Sequence, residues 1–302
     1  MKGRKKITEK IFIIGCGDIG SRVARLAGEK GIPVSALVRP GKGAEKLMGL
    51  PVATVPGDLD DPASLGNLAA KGTLLFYFAP PPGGGETDPR MRAFCAAIAP
   101  GEEPRKVIYV STSGVYGDCG NGIVTEETPV NPQTSRARRR LDAETTLRKW
   151  GEERNIPVVI LRVTGIYGPG RLPLSYIESG QPVINEEEAP YTNRIHADDL
   201  ARICLAAASR GEGGDIFNVS DGQTGTMTHY FNAVADLLGL PRPPQVSREE
   251  AGRLISPLML SYMSESRRMD NSKMLEKLRV RLLYPTLEAG LKGSPGDGNE
   301  KS

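Results

Sequence analysis

The residues best suited to chemistry stand near the start of the chain. Gly15-Cys16-Gly17-Asp18-Ile19-Gly20 is a GxGxxG pattern set directly after the apolar run Ile11 to Ile14 and at the head of an amphipathic stretch. Without Cβ atoms, Gly15 permits a tight turn, Gly17 lets a pyrophosphate approach the backbone, and Gly20 allows close packing of helix on strand. The helix that begins at Asp18 and Ile19 offers phosphates its unpaired N–H groups and the positive end of its dipole. Strand, turn and helix in this order predict a nicotinamide dinucleotide site. In NAD-selective sites an acidic residue about 20 positions on accepts from the ribose 2′-hydroxyl. Here the second apolar run ends Ala36-Leu37-Val38-Arg39, with Lys42 just beyond. An arginine pairs with the 2′-phosphate that a carboxylate repels, so NADP is expected ahead of NAD. A solvated turn after a strand is the alternative for Arg39 and Lys42. Asp58, in Gly57-Asp58-Leu59 at the end of the third strand, reads as an adenine contact or as a helix cap.

Other reactive side chains are few. Cys16, Cys95, Cys119 and Cys204 show neither metal-ligand nor disulfide spacing, a usage that suits a reducing cytoplasm. Cys16, close to a helix N-terminus, is either a low-pKa thiol or a small filler. His196 and His229 are the only histidines and lie far apart, so no histidine-rich metal centre is expected. The chain has 302 residues, and its net charge of +3 is the balance of 39 basic and 36 acidic side chains, which argues against a dedicated nucleic-acid binder. Arg136-Ala137-Arg138-Arg139-Arg140 is the one basic run. On a helix Arg136, Arg139 and Arg140 share a side, and the run reads as a solvated or anion-facing surface. No apolar stretch approaches the roughly 20 residues that cross a bilayer, so no membrane partner is expected.

The elements that must position these residues follow from the periodicity. Apolar runs at Ile11 to Ile14, Val34 to Val38, Leu74 to Phe78, Val107 to Val110 and Val158 to Val163 alternate with helix-like stretches. The helical stretches are Asp18 to Lys30, Pro62 to Lys71, Asp88 to Ile98 and Gln133 to Arg154. Continuous apolar strands alternating with helices predict an α/β fold, a Rossmann-like doubly wound parallel sheet covered on both faces. Beyond Val163 a loop rich in Gly and Pro runs from Gly165 to Pro190. A helix from Asp198 to Ser209, a strand from Ile216 to Val219, and helices at Met227 to Leu238, Arg248 to Met263 and Asn271 to Leu278 follow. Residues 1–170 are expected to form the nucleotide-binding domain, with 191–225 returning to it. Residues 171–190 and 226–290 are expected to form a smaller, mostly helical substrate-side subdomain, and 291–302 a tail. Met1 to Lys6 reads as a solvated extension.

These segments resemble the extended short-chain dehydrogenase/reductase superfamily, the NAD-dependent epimerase/dehydratase group. Besides the glycine motif, the likeness rests on Val110-Ser111-Thr112-Ser113-Gly114-Val115-Tyr116-Gly117, Leu161-Arg162-Val163-Thr164-Gly165-Ile166-Tyr167-Gly168-Pro169-Gly170, Arg194-Ile195-His196-Ala197-Asp198-Asp199-Leu200-Ala201 and Phe217-Asn218-Val219-Ser220-Asp221-Gly222. The resemblance implies an oxidoreductase moving a hydride to or from a small carbonyl or hydroxyl substrate. It also implies Thr112 as the group that hydrogen-bonds a substrate oxygen, and Asp88 near the place of an active-site asparagine.

One part of the pattern is missing. Members carry Tyr-x-x-x-Lys on the long helix, where the lysine charge lowers the pKa of the proton-transferring tyrosine. Aligned on Ala143-Glu144, those positions hold Arg136 and Arg140, and an arginine exchanges no proton at neutral pH. The chain therefore resembles the atypical branch of the superfamily. Arg140 is left to hold ribose hydroxyls and supply the positive charge, and proton transfer falls to Tyr116, Tyr167, His196 or a substrate group, with Tyr116 first as the neighbour of Thr112. Packing roles for both tyrosines and a structural hydrogen-bonding role for His196 stand beside this. The Asp-Glu pair that follows the threonine in nucleotide-sugar 4,6-dehydratases is replaced by Ser113 and Gly114, which argues against that reaction. A non-catalytic NADP(H)-binding protein is the competing expectation. The resemblance implies a possible homodimer through the long helix and its neighbour, three arginines on one side of that helix would oppose such packing, and the sequence leaves the oligomeric state open.

Overall fold

The structure is a computed structural model that describes residues 9–45, 47–66, 68 and 70–293, with the side chains of Lys42 and Ala44 outside the description. The basic N-terminal segment and residues 294–302 also lie outside it. Five strands come first: β1 (Ile11–Ile14), β2 (Val34–Val38), β3 (Val52–Pro56), β4 (Leu74–Tyr77) and β5 (Lys106–Thr112). With β6 (Ile123–Val124), β7 (Val158–Val163), β8 (Gly165–Tyr167), β9 (Val183–Ile184), β10 (Tyr191–His196) and β11 (Ile216–Val219), they account for most of the sheet structure. β12 (Thr224–Thr226), β13 (Gln245–Val246) and β14 (Arg268–Met269) complete the set among the described residues. The central sheet is parallel and seven-stranded, in the order β11-β7-β5-β4-β1-β2-β3. Every residue of β1, β4 and β7 is buried, as expected of strands covered on both faces. β3 is the sheet edge and mostly exposed, so its apolar signal is weak.

The chain divides into two compact units. The first comprises residues 1–111, 138–161 and 201–216. It holds α1 (Asp18–Glu29), α2 (Lys42–Glu45), α3 (Pro89–Ala97) and most of α4 (Ser135–Arg154). Its core joins Phe12 and Ile14 to Tyr77, Phe94, Tyr109 and Trp150. The Tyr77 ring meets those of Phe94 and Tyr109 edge-on at 5.2 and 5.7 Å between centroids. The second unit comprises 112–137, 162–200 and 217–302. It includes α5 (Leu174–Glu178), the start of α6 (Ala197–Arg210), α7 (Met227–Leu238), α8 (Arg248–Leu254), α9 (Pro257–Tyr262), α10 (Ser272–Leu278) and α11 (Leu287–Gly293). Its core gathers Tyr167, Ile184, Tyr230, Phe231, Val234 and Leu287.

Four expectations are corrected. The helix read over Pro62 to Lys71 is a single tight turn, Pro62–Leu65, ended by Gly66 with φ +53. The helix read over Arg248 to Met263 is two helices, because Pro257 has no N–H to donate back along a continuous helix and disfavours helical geometry at Ser256. Ser256 instead caps the second helix, its hydroxyl accepting from the Met259 amide. The Gly- and Pro-rich stretch from Gly165 to Pro190 contains β8, α5 and β9 rather than loop alone. Asp58 stands beyond the third strand, which stops at Pro56.

Candidate functional site

In the first unit, β1 runs into α1 through Gly15 to Gly20. Gly15 has φ +88, and a Cβ there would stand 2.5 Å from the Ala79 amide nitrogen. A Cβ at Gly20 would meet the Gly15 carbonyl oxygen at 3.0 Å and Ile13 at 3.3 Å. Those two glycines answer to the protein's own packing. Gly17 does not: a Cβ on it meets nothing within 4 Å, and its φ of −81 suits any residue. Gly17 caps α1 without a side-chain hydrogen bond, so the first-turn N–H groups have no side-chain acceptor from the cap. Asp18 is exposed and pairs with Arg22 at 2.8 Å, while Ile19 is buried in the core. Burial pushes the Cys16 thiol up against a hydrogen bond with Ser21, which removes the low-pKa reading of this cysteine.

Arg39 follows β2, is exposed, and donates no hydrogen bond among the described residues. Lys42 cannot be compared, since its side chain lies outside the description. Asp58 Oδ1 accepts from the Asp60 amide at 3.0 Å, and its own N–H donates to Ser64 Oγ at 2.8 Å. Asp60 receives Arg90 at 2.7 and 2.5 Å. That hydrogen bonding, with the charges of Arg90 and Arg39, holds its carboxyl below the usual range.

A buried polar cluster lies deeper in this unit. Asp88 caps α3 by accepting from the Met91 amide at 3.2 Å, and its Oδ2 is buried without a partner among the described residues. Burial raises its pKa against the opposing charge of Arg140. The Tyr77 hydroxyl is likewise unpartnered. Burial pushes Tyr109 up to about 12, again against Arg140. Arg140 Nη1 donates to the Val110 carbonyl at 3.0 Å and reaches Tyr109 Oη at 3.4 Å. Arg138 pairs with Glu86, and Arg139 donates to the Gly85 carbonyl at 2.6 Å. The shared side expected of Arg136, Arg139 and Arg140 is therefore corrected: Arg139 goes with Arg138 to the loop before α3, and Arg140 turns to β5.

In the second unit, Thr112 caps the turn Ser113–Tyr116, its hydroxyl oxygen accepting from the Gly114 amide at 3.2 Å. The hydroxyl proton of Thr112 has no acceptor among the described residues. Tyr116 is 1% exposed and donates to Asn218 Oδ1 at 2.8 Å. Asn218 also donates to the Val124 carbonyl at 3.1 Å and to Glu126 Oε1 at 2.7 Å. Tyr167 is buried and donates to the Thr286 carbonyl at 3.2 Å. His196 is buried too: its Nδ1 accepts from the Asp198 amide at 3.2 Å, and its ring lies 3.9 Å from that of Tyr284. All three are held in hydrogen-bonded packing. Arg136 lies over the Tyr262 ring at 4.1 Å.

Sequence reasoning missed one carboxylate at the Ser113 turn. Arg267 donates to the Ser113 carbonyl at 3.2 Å and pairs with Glu265, whose Oε1 is buried and has no partner among the described residues. Burial raises the Glu265 pKa against the charges of Arg267 and Arg136. No local signal joins residues so distant in sequence. A pocket of about 650 Å³ on the same unit is lined by Glu186, Glu187, Tyr191, Thr226, His229 and Arg248 among others, a size that suits a small molecule.

Two outcomes test this description. Gly17→Ala is expected to change stability by less than about 0.5 kcal/mol, while Gly15→Ala, with a positive φ and a backbone clash, lowers it by roughly 2 to 4 kcal/mol in urea denaturation. Burial pushes Asp221 up to about 7, opposed by the Gln223 amide and Arg194. A carboxyl with a raised folded pKa binds protons the unfolded chain has released, so its contribution is full below about pH 4 and is lost as pH rises through about 7. Asp221→Asn keeps an acceptor for Gln223. The variant is expected to gain on the parent by up to about 3 kcal/mol between pH 4 and 8, and parallel stability curves would show that this carboxyl does not titrate there.

Comparison with known proteins places this geometry. The sequence model of the NAD dependent epimerase/dehydratase family matches residues 11–220. The chain is 32% identical over 143 residues to protein YeeZ of Escherichia coli (strain K12), covering 46% of this chain and 48% of YeeZ. It is 30% identical over 122 residues to dTDP-D-glucose 4,6-dehydratase of Mus musculus, covering 38% and 34%. The matched segments thus span about half or less of these curated relatives. Among solved structures, a functionally unknown conserved protein from Silicibacter pomeroyi DSS superposes with a TM-score of 0.80 at 29% identity, covering 95% of this chain and 98% of that one. The dTDP-glucose 4,6-dehydratase of Bacillus anthracis str. Ames, solved in complex with NAD, gives 0.75 at 17% identity with 95% of each covered, a likeness of fold. With a glycine turn after β1 and a match running from that strand to Ser220, the chain belongs to the NAD dependent epimerase/dehydratase family.

Proposed function

We propose that this chain binds NADP at the Gly15 to Gly20 turn and is an oxidoreductase of the atypical short-chain dehydrogenase type, acting on a small carbonyl or hydroxyl substrate. The observation that carries the reading is Gly17: nothing among the described residues lies within 4 Å of where its Cβ would be, so the open space is available to a ligand. The N–H groups of the first turn of α1 receive the pyrophosphate there, with Gly15, Asp18, Ile19 and Gly20 shaping the turn. Arg39, uncommitted to any hydrogen bond among the described residues, pairs with the 2′-phosphate, and Asp58 contacts the adenine side. Residues 1–170, with 191–225 returning, serve as the nucleotide-binding domain. Residues 171–190 and 226–290 serve the substrate.

The nicotinamide cofactor supplies the hydride chemistry. This chain's groups bind and orient. Thr112 donates its free hydroxyl proton to a substrate oxygen. Arg140, anchored through Nη1 to Val110, holds ribose hydroxyls with its remaining donors and gives a fixed positive charge where the lysine of related enzymes would be. Tyr116, committed to Asn218, fixes the turn that carries Thr112, and exchanging its proton with a substrate would require that hydrogen bond to break. The similarity to 4,6-dehydratases does not extend to the Asp-Glu pair, so water elimination by their route is not proposed. The same commitment of Tyr116, with arginine at both positions of the missing motif, favours a second reading: an NADP(H)-binding protein without turnover.

Fluorescence titration with NADPH and NADH tests the assignment. NADPH is expected to bind more tightly, and Arg39→Asp to weaken it by about 10- to 100-fold while sparing NADH, the effect of losing a charge-assisted pair. NADPH oxidation against a panel of small aldehydes and ketones then separates enzyme from binding protein. Failure of both nucleotides to bind at millimolar concentration would sink both readings.

A further inference from the structure

Arg194, in β10 of the second unit, is a cation without a counter-charge in contact among the described residues. Its guanidinium lies 3.8 Å from the centroid of the Tyr230 ring. Nη2 donates to Met227 Sδ at 2.9 Å, and a thioether is a weak acceptor. Nε is buried and has no partner among the described residues. None of the ion pairs among the described residues includes Arg194, although the side chain is only partly exposed. Burial lowers its pKa, and Tyr230, Asp221 and Tyr167 oppose this through space. Asp221 itself binds the Arg194 carbonyl through its backbone N–H, at 2.7 Å, rather than the guanidinium through its carboxylate.

The surroundings make the placement more costly. Met227 and Tyr230 belong to the first turns of α7, a helix capped by Thr226 and free of acidic residues in its first turn. The positive end of that helix dipole therefore meets a positive guanidinium. Room for the side chain is provided by the residue opposite it in the sheet: Arg194 is the register partner of Gly165 in β8. A Cβ on Gly165 would stand 2.6 Å from Arg194 Nη1. Removing a charge from water without pairing it is strongly unfavourable, and a guanidinium set beside a helix N-terminus adds like charge to like, a placement that a bound anion would relieve.

We propose that Arg194 is the receiving group of an anion site in the second unit, binding a carboxylate or phosphoryl oxygen of a small molecule through its Nη groups. Tyr230 covers one face of the guanidinium plane, so the anion approaches edge-on, the direction in which paired N–H groups meet two oxygens. The ring and the Met227 thioether hold the plane in place without neutralising it. This site is independent of the nucleotide assignment above, which concerns the first unit.

The test reads Arg194 directly and uses no nucleotide. In ¹⁵N-labelled full-length protein, the Arg194 Nε–Hε resonance, assigned through bonds, is followed during separate titrations with malonate and inorganic pyrophosphate at constant ionic strength. A saturable shift with malonate alone identifies a carboxylate site, with pyrophosphate alone a phosphoryl site, and with both a general anion site, and each supports the proposal. Arg194→Met is expected to weaken the same anion by about 10- to 100-fold and, without anion, to melt at or above the parent's temperature, since it removes an unpaired charge. An Nε–Hε signal unmoved by either anion would overturn the proposal. So would full anion affinity in Arg194→Met. A sharp loss of thermal stability in Arg194→Met, with no anion shift in the parent, would mark the residue as a packing partner of Tyr230.

Discussion

The first unit depends on one close approach: the backbone of Gly15 against the backbone of Ala79, too tight for any Cβ. Parallel pairing of β1 with β4 brings the ends of the two strands side by side, Ile14 opposite Tyr77. The chain leaving β1 must turn at once, and only a residue free to take a positive φ does so at that distance. The turn sets where α1 begins, and Gly20 then lets the helix lie against Ile13. The N-terminus of α1 is thereby held at the carboxyl end of β1, at an edge of the sheet where ligands of open α/β folds bind. Packing at Gly15 and Gly20 sets this turn, and Gly17 stands where packing among the described residues asks for nothing; in the proposed function that open position is where the phosphates sit.

Charge is distributed to match. Several arginines that serve structure are paired with carboxylates: Arg22 with Asp18, Arg90 with Asp60, Arg92 with Asp142, Arg138 with Glu86. Arg39 in the first unit and Arg194 in the second have no such partner among the described residues. An exposed arginine loses little by standing alone. A desolvated one such as Arg194 loses much more, so its lack of a counter-charge is the stronger indication of a ligand.

Much of the fold was legible because periodicity and burial coincide where strands are covered on both faces. β1, β2, β7 and β11 begin and end where the apolar runs do, and α7 spans the expected residues. What stayed hidden has physical causes. β3 lies at the sheet edge and its residues face water, so the run carries little apolar signal. A proline between two helical patterns, at Pro257, looks the same in periodicity as a continuous helix. The glycine turn was legible because its chemistry is local. The contact of Arg267 with Ser113, the cross-strand fit of Arg194 to Gly165, and the burial of Tyr116 against Asn218 are not local, and no spacing rule reaches them. The Tyr116 hydroxyl shows the limit most plainly: its proximity to Thr112 in sequence drew a reactive role, while the tertiary structure places it in a hydrogen-bonded core.

The proposed function requires the first turn of α1 to receive the phosphates of a nicotinamide dinucleotide. Amide hydrogen exchange across Gly15 to Ser21, measured with and without NADPH, addresses it at the atoms concerned. Exchange at Gly17 to Gly20 is expected to slow on adding NADPH, while amides in α7 of the second unit are unchanged. Unaltered exchange at the α1 N-terminus under saturating NADPH would contradict it.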